Sequence, residues 1–237
     1  MLIVKLLKPI GALVSYIHYK TNRLRLAKLM DKGLKIGKNV YIMDDVEFDG
    51  EYPFLIEIGD NCRIGRGVRI LTHDATTFRD LGVTRLAPVR ILEGTFIGER
   101  TIILPGVTIG PRALIGAGSM VNRDIGEDKA AAGNPARPYG TFSDLLKKYR
   151  ELASSGIVFN EEDVEKGVVT TREINTTLKD NPRAFIRGVP SKDPYYINTD
   201  MEELRRKAHQ NYDELRTSSP PSGTVSLEPR KGAKESE

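Results

Sequence analysis

The chain has 237 residues, 39% of them hydrophobic, with no tryptophan and 36 Lys+Arg against 32 Asp+Glu for a formal net charge of +4. That length holds one large domain with an extension, or two small domains. So small a basic excess reads as an ordinary solvated surface rather than the footprint of a nucleic-acid partner, and a single cysteine, Cys62, excludes an internal disulfide framework and favours a reducing, cytoplasmic compartment.

The stretch Met1–His18 is apolar but broken by Lys5, Lys8 and Pro9 and has no small-residue cleavage site, so it reads neither as a membrane span nor as a signal peptide. Arg23, Arg25, Lys28 and Lys32 then interleave with Leu24, Leu26, Leu29 and Met30. Residues 1–35 are read as an amphipathic, basic helical segment. It suits a peripheral contact with the inner face of an anionic membrane, or packing on its own protein or on a sister subunit.

From Ile36 a different period takes over. Ile36-Gly-Lys-Asn-Val40, Ile42-Met-Asp-Asp-Val46 and Phe48 are followed by Ile58-Gly-Asp-Asn-Cys62, Ile64-Gly-Arg-Gly-Val68 and Ile70. After a break, aliphatic residues return at every sixth position: Ile91, Ile97, Ile103, Ile109, Ile115 and Val121. Four residues after each of the first five stands a small or β-branched residue: Thr95, Thr101, Val107, Ala113 or Ser119. A period of six is neither the 3.6 of a helix nor the alternation of a long strand. It fits short strands separated by turns, every sixth side chain pointing to one axis. Grouped in threes, the positions 36/42/48, 58/64/70, 91/97/103 and 109/115/121 describe four turns of a three-sided prism, with Cys62 a small inward core residue.

Both interruptions, Asp49 to Glu57 and Thr72 to Pro88, follow the third side and leave the prism at one corner. Loops lengthened on a rigid scaffold are where function collects, and the longer one is rooted at His73. The ends of such a stack need covering; the N-terminal helix and the segment after Gly133 are the natural covers. Beyond them Thr141–Ala153 reads as a helix with Leu145, Leu146, Tyr149 and Leu152 on one face. No period assigns Gly156–Asn198, Asp200–Arg216 reads as a charged helix, and from Thr217 the composition is that of a disordered tail. The organisation expected is therefore 1–35 helical, 36–138 prism with a loop at 72–88, 139–216 a helical and irregular extension, and 217–237 tail.

The repeat, with Leu104-Pro-Gly-Val-Thr-Ile-Gly110, Ile115-Gly-Ala-Gly-Ser-Met-Val-Asn-Arg-Asp-Ile125 and Ala132-Gly-Asn-Pro-Ala-Arg137, resembles the hexapeptide-repeat acyltransferases. Galactoside, maltose, serine and polysaccharide or nucleotide-sugar acetyltransferases belong to that superfamily, and the likeness covers residues 36–138. It implies a mainly β protein built on a left-handed parallel β-helix of four three-sided coils. General rules for parallel strands favour right-handed crossovers, so the hand comes from the resemblance alone. The resemblance further implies a homotrimer with active sites between subunits and acetyl-CoA as co-substrate without a metal. It also implies a sugar acceptor, nucleotide-linked in some relatives, and one histidine as general base.

That histidine matches His73, in Leu71-Thr-His-Asp-Ala-Thr-Thr77. An imidazole takes the proton of an attacking hydroxyl and returns it to the departing thiolate. Asp74, Asp49 and Glu47 are the carboxylates placed to orient the imidazole or bind the acceptor. For CoA the match carries over Phe96 as an aromatic flanking the thioester and Ala117 as a small residue along the pantetheine. Asn122 and Arg123 match contacts to the nucleotide end, and Arg137 a basic residue near the phosphates, where the guanidinium fork suits bidentate contact. Glu99 departs from the small polar residue of relatives. Arg79, Arg85 and Arg90 cluster near the long loop and point to a phosphorylated acceptor. The carbonic anhydrase built on the same coil holds zinc with three histidines; here only His73 lies in the prism, with His18 and His209 remote. The non-enzymatic alternative is a scaffold protein that keeps the coil without the chemistry.

Overall fold

Each inward aliphatic side chain of the six-residue frame meets its counterpart from the next turn. In the structure, a computed structural model that describes residues 21–160, 164, 169–180, 184–187, 196–197, 206 and 210, the first wall stacks Ile36, Ile58, Ile91 and Ile109 in parallel register. The second stacks Ile42, Ile64, Ile97 and Ile115. The third stacks Phe48, Ile70, Ile103 and Val121. The coil is a left-handed parallel β-helix. Ile64, Ile70, Ile91, Ile97, Ile103, Ile109 and Ile115 are fully buried, each contributing about 1.5–3 kcal/mol by leaving water.

Polar residues inside this stack are satisfied by corner carbonyls. The hydroxyl of Thr95 donates to the Gly110 carbonyl at 2.9 Å, that of Thr101 to Gly98 at 2.8 Å and that of Ser119 to Gly116 at 2.6 Å. Cys62 Sγ lies 3.1 Å from the Leu92 carbonyl, and burial pushes its thiol up to about 11. It is a packed core residue rather than a nucleophile.

The corners explain the rest of the repeat. A left-handed backbone recurs at the first corner in Asn39, Asn61, Gly94, Arg112 and Asp128, with φ of 54°, 58°, 66°, 52° and 54°. Asn, Asp and Gly tolerate that region best. The glycine that follows an inward isoleucine has another cause, the close spacing of successive turns. A Cβ on Gly98 would lie 2.5 Å from the backbone nitrogen of Ala117, a clash that only main-chain movement relieves. Gly98→Ala should therefore cost about 1–3 kcal/mol. Gly140→Ala, where a Cβ meets nothing within 4 Å, should cost far less. Thermal denaturation of the two variants checks this, and equal melting temperatures would refute it.

Both ends of the prism are covered. A helix over 21–31 buries Leu26 and Leu29 in the prism core and leaves Leu24, Arg25 and Lys28 exposed. Ile197 joins the same core, in a strand antiparallel to Val40–Ile42. At the far end Ile125 bridges to Ile109 and Ala131 pairs with Ile115. The chain then reverses, Lys129–Ala132 pairing antiparallel with Arg137–Thr141 across a turn that holds a cis Asn134–Pro135 bond.

The chain divides into two units, Met1–Leu145 with Lys192–Asp200, and Leu146–Ser191 with Met201–Glu237. In the second, Ile157–Asn160 pairs parallel with Ala184–Arg187. A helix spans Thr171–Asp180, opened by a capping box in which Thr170 and Glu173 bond reciprocally. These elements lie in the stretch that the sequence pattern leaves unassigned. The helix expected over Thr141–Ala153 spans Phe142–Ser155, with Leu146 and Tyr149 of its apolar face exposed. The charged helix over Asp200–Arg216 lies outside the described residues, save for helical positions at Arg206 and Gln210. The tail from Thr217, His18 and His209 lie outside them altogether. Among the described residues no helix is long and apolar enough to cross a membrane.

Candidate active site

The third corner is built differently from the other two. After the inward residue of the first and second walls, glycine is frequent: Gly37, Gly59 and Gly110, then Gly65, Gly98 and Gly116. After the third wall the same position holds Asp49, Leu71, Leu104 and Asn122. This corner presents side chains where the others present bare backbone, and both insertions leave from it.

Stacking brings the roots of the two insertions together. Phe48 pairs with Ile70, so Asp49 and Thr72–His73 become neighbours. Asp49 is buried, with 1% of its side chain exposed, and His73 keeps 30%. Asp49 Oδ2 accepts from the Thr72 N–H at 3.1 Å and the Thr72 hydroxyl at 2.7 Å, and contacts His73 Nδ1 at 2.6 Å. Its Oδ1 accepts from the N–H groups of Glu51 at 3.0 Å and Tyr52 at 3.3 Å. Burial pushes this carboxyl upward. The hydrogen bonds from the Thr72 side chain, from His73 and from the Thr72 and Glu51 backbone outweigh it and hold the group at about 2. An ionised carboxylate only accepts, so His73 Nδ1 must carry the hydrogen of that bond. In the neutral ring Nε2 is then the free basic nitrogen. The Tyr52 ring packs edge-on against the imidazole, centroids 5.5 Å apart, and fixes its plane.

The three candidate carboxylates thus have different fates. Asp49 is the one bonded to the imidazole, and its burial removes it from direct contact with an acceptor. Glu47 is on the outer face of the third wall, bound through both oxygens to Arg69 at 3.0 and 3.2 Å, so the structure does not bring it to His73. Asp74 curls into its own turn, accepting from the Thr76 hydroxyl and, at 2.9 Å, the Thr76 N–H. Those two bonds, the hydroxyl's first, hold its carboxyl below the usual range.

His73 opens onto a cleft lined by Leu71, Asp74, Arg85, Leu104, Asn122 and Arg123. Its outer lip is the hairpin in which His73–Asp74 pairs antiparallel with Arg85–Leu86. Of the residues matched to CoA contacts, Asn122 and Arg123 share this cleft. Phe96 is exposed on the second wall, and Ala117 sits at the second corner, its backbone against Gly98. Arg137 starts the closing strand and donates to the Ala136 carbonyl at 2.8 Å. One chain therefore does not unite the two sets. Thr72 and Tyr52 complete the site without a motif to announce them, and of the arginines clustered near the long loop Arg85 lines the cleft while Arg79 and Arg90 do not. The non-glycine row at the third corner is the signal that points there. Among the described residues no His, Cys, Asp and Glu group is arranged to hold a metal ion.

The family model for bacterial transferase hexapeptide (six repeats) matches residues 88–123. The Bacillus subtilis protein YvoF, which carries an acetyltransferase name, is 32% identical over 120 residues, 51% of this chain and 67% of its own length. A Staphylococcus aureus protein similarly named is 41% identical over 105 residues, 44% of this chain and 53% of its own. The galactoside O-acetyltransferase of Escherichia coli is 34% identical over 119 residues, 49% of this chain and 58% of its own. Across most of these relatives the chain spans little more than half of their length. Among solved structures, a maltose O-acetyltransferase from Clostridium difficile aligns with 48% of this chain and 72% of its own, at 28% identity and a TM-score of 0.41. With its register, corners and repeat in place, the chain belongs to the hexapeptide-repeat transferases.

Proposed function

We propose that this protein is an acetyl-CoA-dependent acetyltransferase acting on a sugar hydroxyl or amine, in the making of a surface polysaccharide or a nucleotide sugar. The observation that carries the reading is the Asp49–His73 pair at the mouth of a cleft. A buried, ionised carboxylate fixes one ring nitrogen, which leaves the other basic and open to a ligand. Bound acetyl-CoA supplies an activated thioester. His73 Nε2 removes the acceptor proton as the acceptor oxygen or nitrogen bonds to the acetyl carbon. The ring holds that proton while Asp49 balances its charge, then gives it to the sulfur as the carbon–sulfur bond breaks. The products are acetylated acceptor and free thiol.

The second corner fits the co-substrate. Ala117 and Gly118 are exposed there and leave a nearly bare backbone ledge, of the kind a pantetheine arm lies against. Phe96, Ala117 and Arg137 stand toward that corner, and Asn122 and Arg123 at the third. One CoA touching both sets spans two copies of the chain if they meet in a groove. The outer walls support a closed ring. Phe96 on the second wall and Ile102 on the third are exposed apolar residues, whereas the first wall carries Lys35, Glu57 and Arg90. The second and third walls also carry Arg63 and the Glu47–Arg69 pair, so the apolar part of each is limited to its later courses, Phe96 with Leu114 and Ile102 with Met120. Those patches suit a homotrimer with each copy between two neighbours.

A thiol-release assay with acetyl-CoA across neutral sugars, amino sugars and nucleotide sugars tests the reading. Acceptor-dependent release is expected. Calorimetry showing no acetyl-CoA binding would instead leave a scaffold.

A further inference from the structure

The proposed chemistry needs a base and a thioester, yet the cleft also carries a cation that this chemistry does not use. Arg85 is fixed opposite Asp74 by the hairpin register. Its guanidinium lies over the turn that follows the third wall, one nitrogen 3.2 Å from where a Cβ on Gly106 would be. Gly106 has φ +88°, so this turn both requires glycine and leaves the space that the guanidinium fills. Leu71 and Leu104 occupy successive courses of this corner, about 4.8 Å apart. Arg85 therefore stands roughly one course along the axis from His73.

The charges around it are accounted for. Asp74, its cross-strand neighbour, is hydrogen-bonded by Thr76 and attracts Arg85 through space only, without a direct ion pair. Among the described residues no carboxylate comes within 4.0 Å of the Arg85 guanidinium. Arg69 on the outer wall is, by contrast, bonded twice to Glu47. Arg123, the other cation of the cleft, stands one course further along, beyond Asn122. A guanidinium held at the mouth of a cleft with its donors uncommitted is suited to a planar anion.

We infer that Arg85 reads an anionic group, a carboxylate or a phosphate, on the acceptor itself. That group lies about one sugar ring away from the hydroxyl or amine presented to His73. The inference rests on the acetyl-transfer reading in naming the ligand an acceptor. A CoA phosphate is the competing occupant, because Asn122 and Arg123, matched to the nucleotide end, line the same cleft. An Arg85 so occupied would show no preference for an anionic acceptor once CoA is bound.

The test compares galacturonate and galactose 6-phosphate with galactose, on the full chain in the presence of CoA for binding and acetyl-CoA for turnover. At least one anion is expected to bind tenfold or more tighter than galactose, with a lower Kd, and to exceed it tenfold or more in kcat/KM, and the better anion identifies the group read. Arg85→Gln should bring that ratio close to one, and Arg85→Lys should keep part of it. Equal values for the three ligands in the native protein would overturn the inference whatever the variants do. So would a preference that survives Arg85→Gln in soluble, folded protein. Anion-selective binding without thiol release from any acceptor would defeat acetyl transfer and spare the anion site. Thiol release without anion preference would do the reverse.

Discussion

Replacing His73 with alanine is expected to lower acetyl transfer by about 10²–10⁴-fold, the usual contribution of a positioned general base. The fold should survive. His73 is 30% exposed and contributes nothing to the stacked core, and the ledge proposed for the pantetheine lies at another corner. Calorimetry on His73→Ala should thus find acetyl-CoA binding near the native value while kcat collapses. Turnover within tenfold of native would show that proton removal belongs to another group.

Asp49→Asn should be nearly as damaging, for a different reason. Five groups point at the native carboxylate, and all that are fixed in role are donors. An amide offers one oxygen and one NH₂, so whichever way it turns, N–H faces N–H. Leaving buried donors unmet costs about 1–3 kcal/mol, and the imidazole loses the partner that sets its tautomer. By the precedent of carboxylate-to-amide changes behind a catalytic histidine, kcat should fall by about 10² or more. The acid limb of stability supplies a second readout. The Asp49 carboxyl is held at about 2, below its ordinary 3.8, so its stabilisation is complete above the unfolded value. It fades as pH falls through the folded one. The difference is worth about 2 kcal/mol. Denaturant melts at pH 7 and near pH 2 should show the native protein losing that much more than Asp49→Asn. Parallel losses, with kcat unchanged, would remove Asp49 from the positioning role.

Much of this site is legible in the sequence once the period of six is seen. The register is carried by side chains with one buried solution, because slipping Ile97 or Ile115 by a residue turns it outward. The same frame predicts that both insertions share a corner. The choice among Asp49, Asp74 and Glu47 depends on where each side chain turns after leaving the frame. Glu47 precedes the inward Phe48 and so points outward to Arg69. Asp49 follows Phe48 and turns in under Thr72. Asp74 lies in the hairpin, where Thr76 captures it. The pairing of Arg85 with Asp74 is set by the length of the loop and carries no periodic signal. Nor do the parallel strands Ile157–Asn160 and Ala184–Arg187, whose four-residue runs are too short for a period to emerge.

The two members of the proposed catalytic pair belong to consecutive courses of the coil, Asp49 closing one and His73 the next. Proton transfer is thus tied to a single inter-course joint close to the helix-covered end. A stack held by nearest-neighbour contacts opens from its ends. The helix that buries Leu26 and Leu29 is in that sense a guardian of reactivity as well as of solubility, since fraying there parts base from carboxylate while most of the prism still stands.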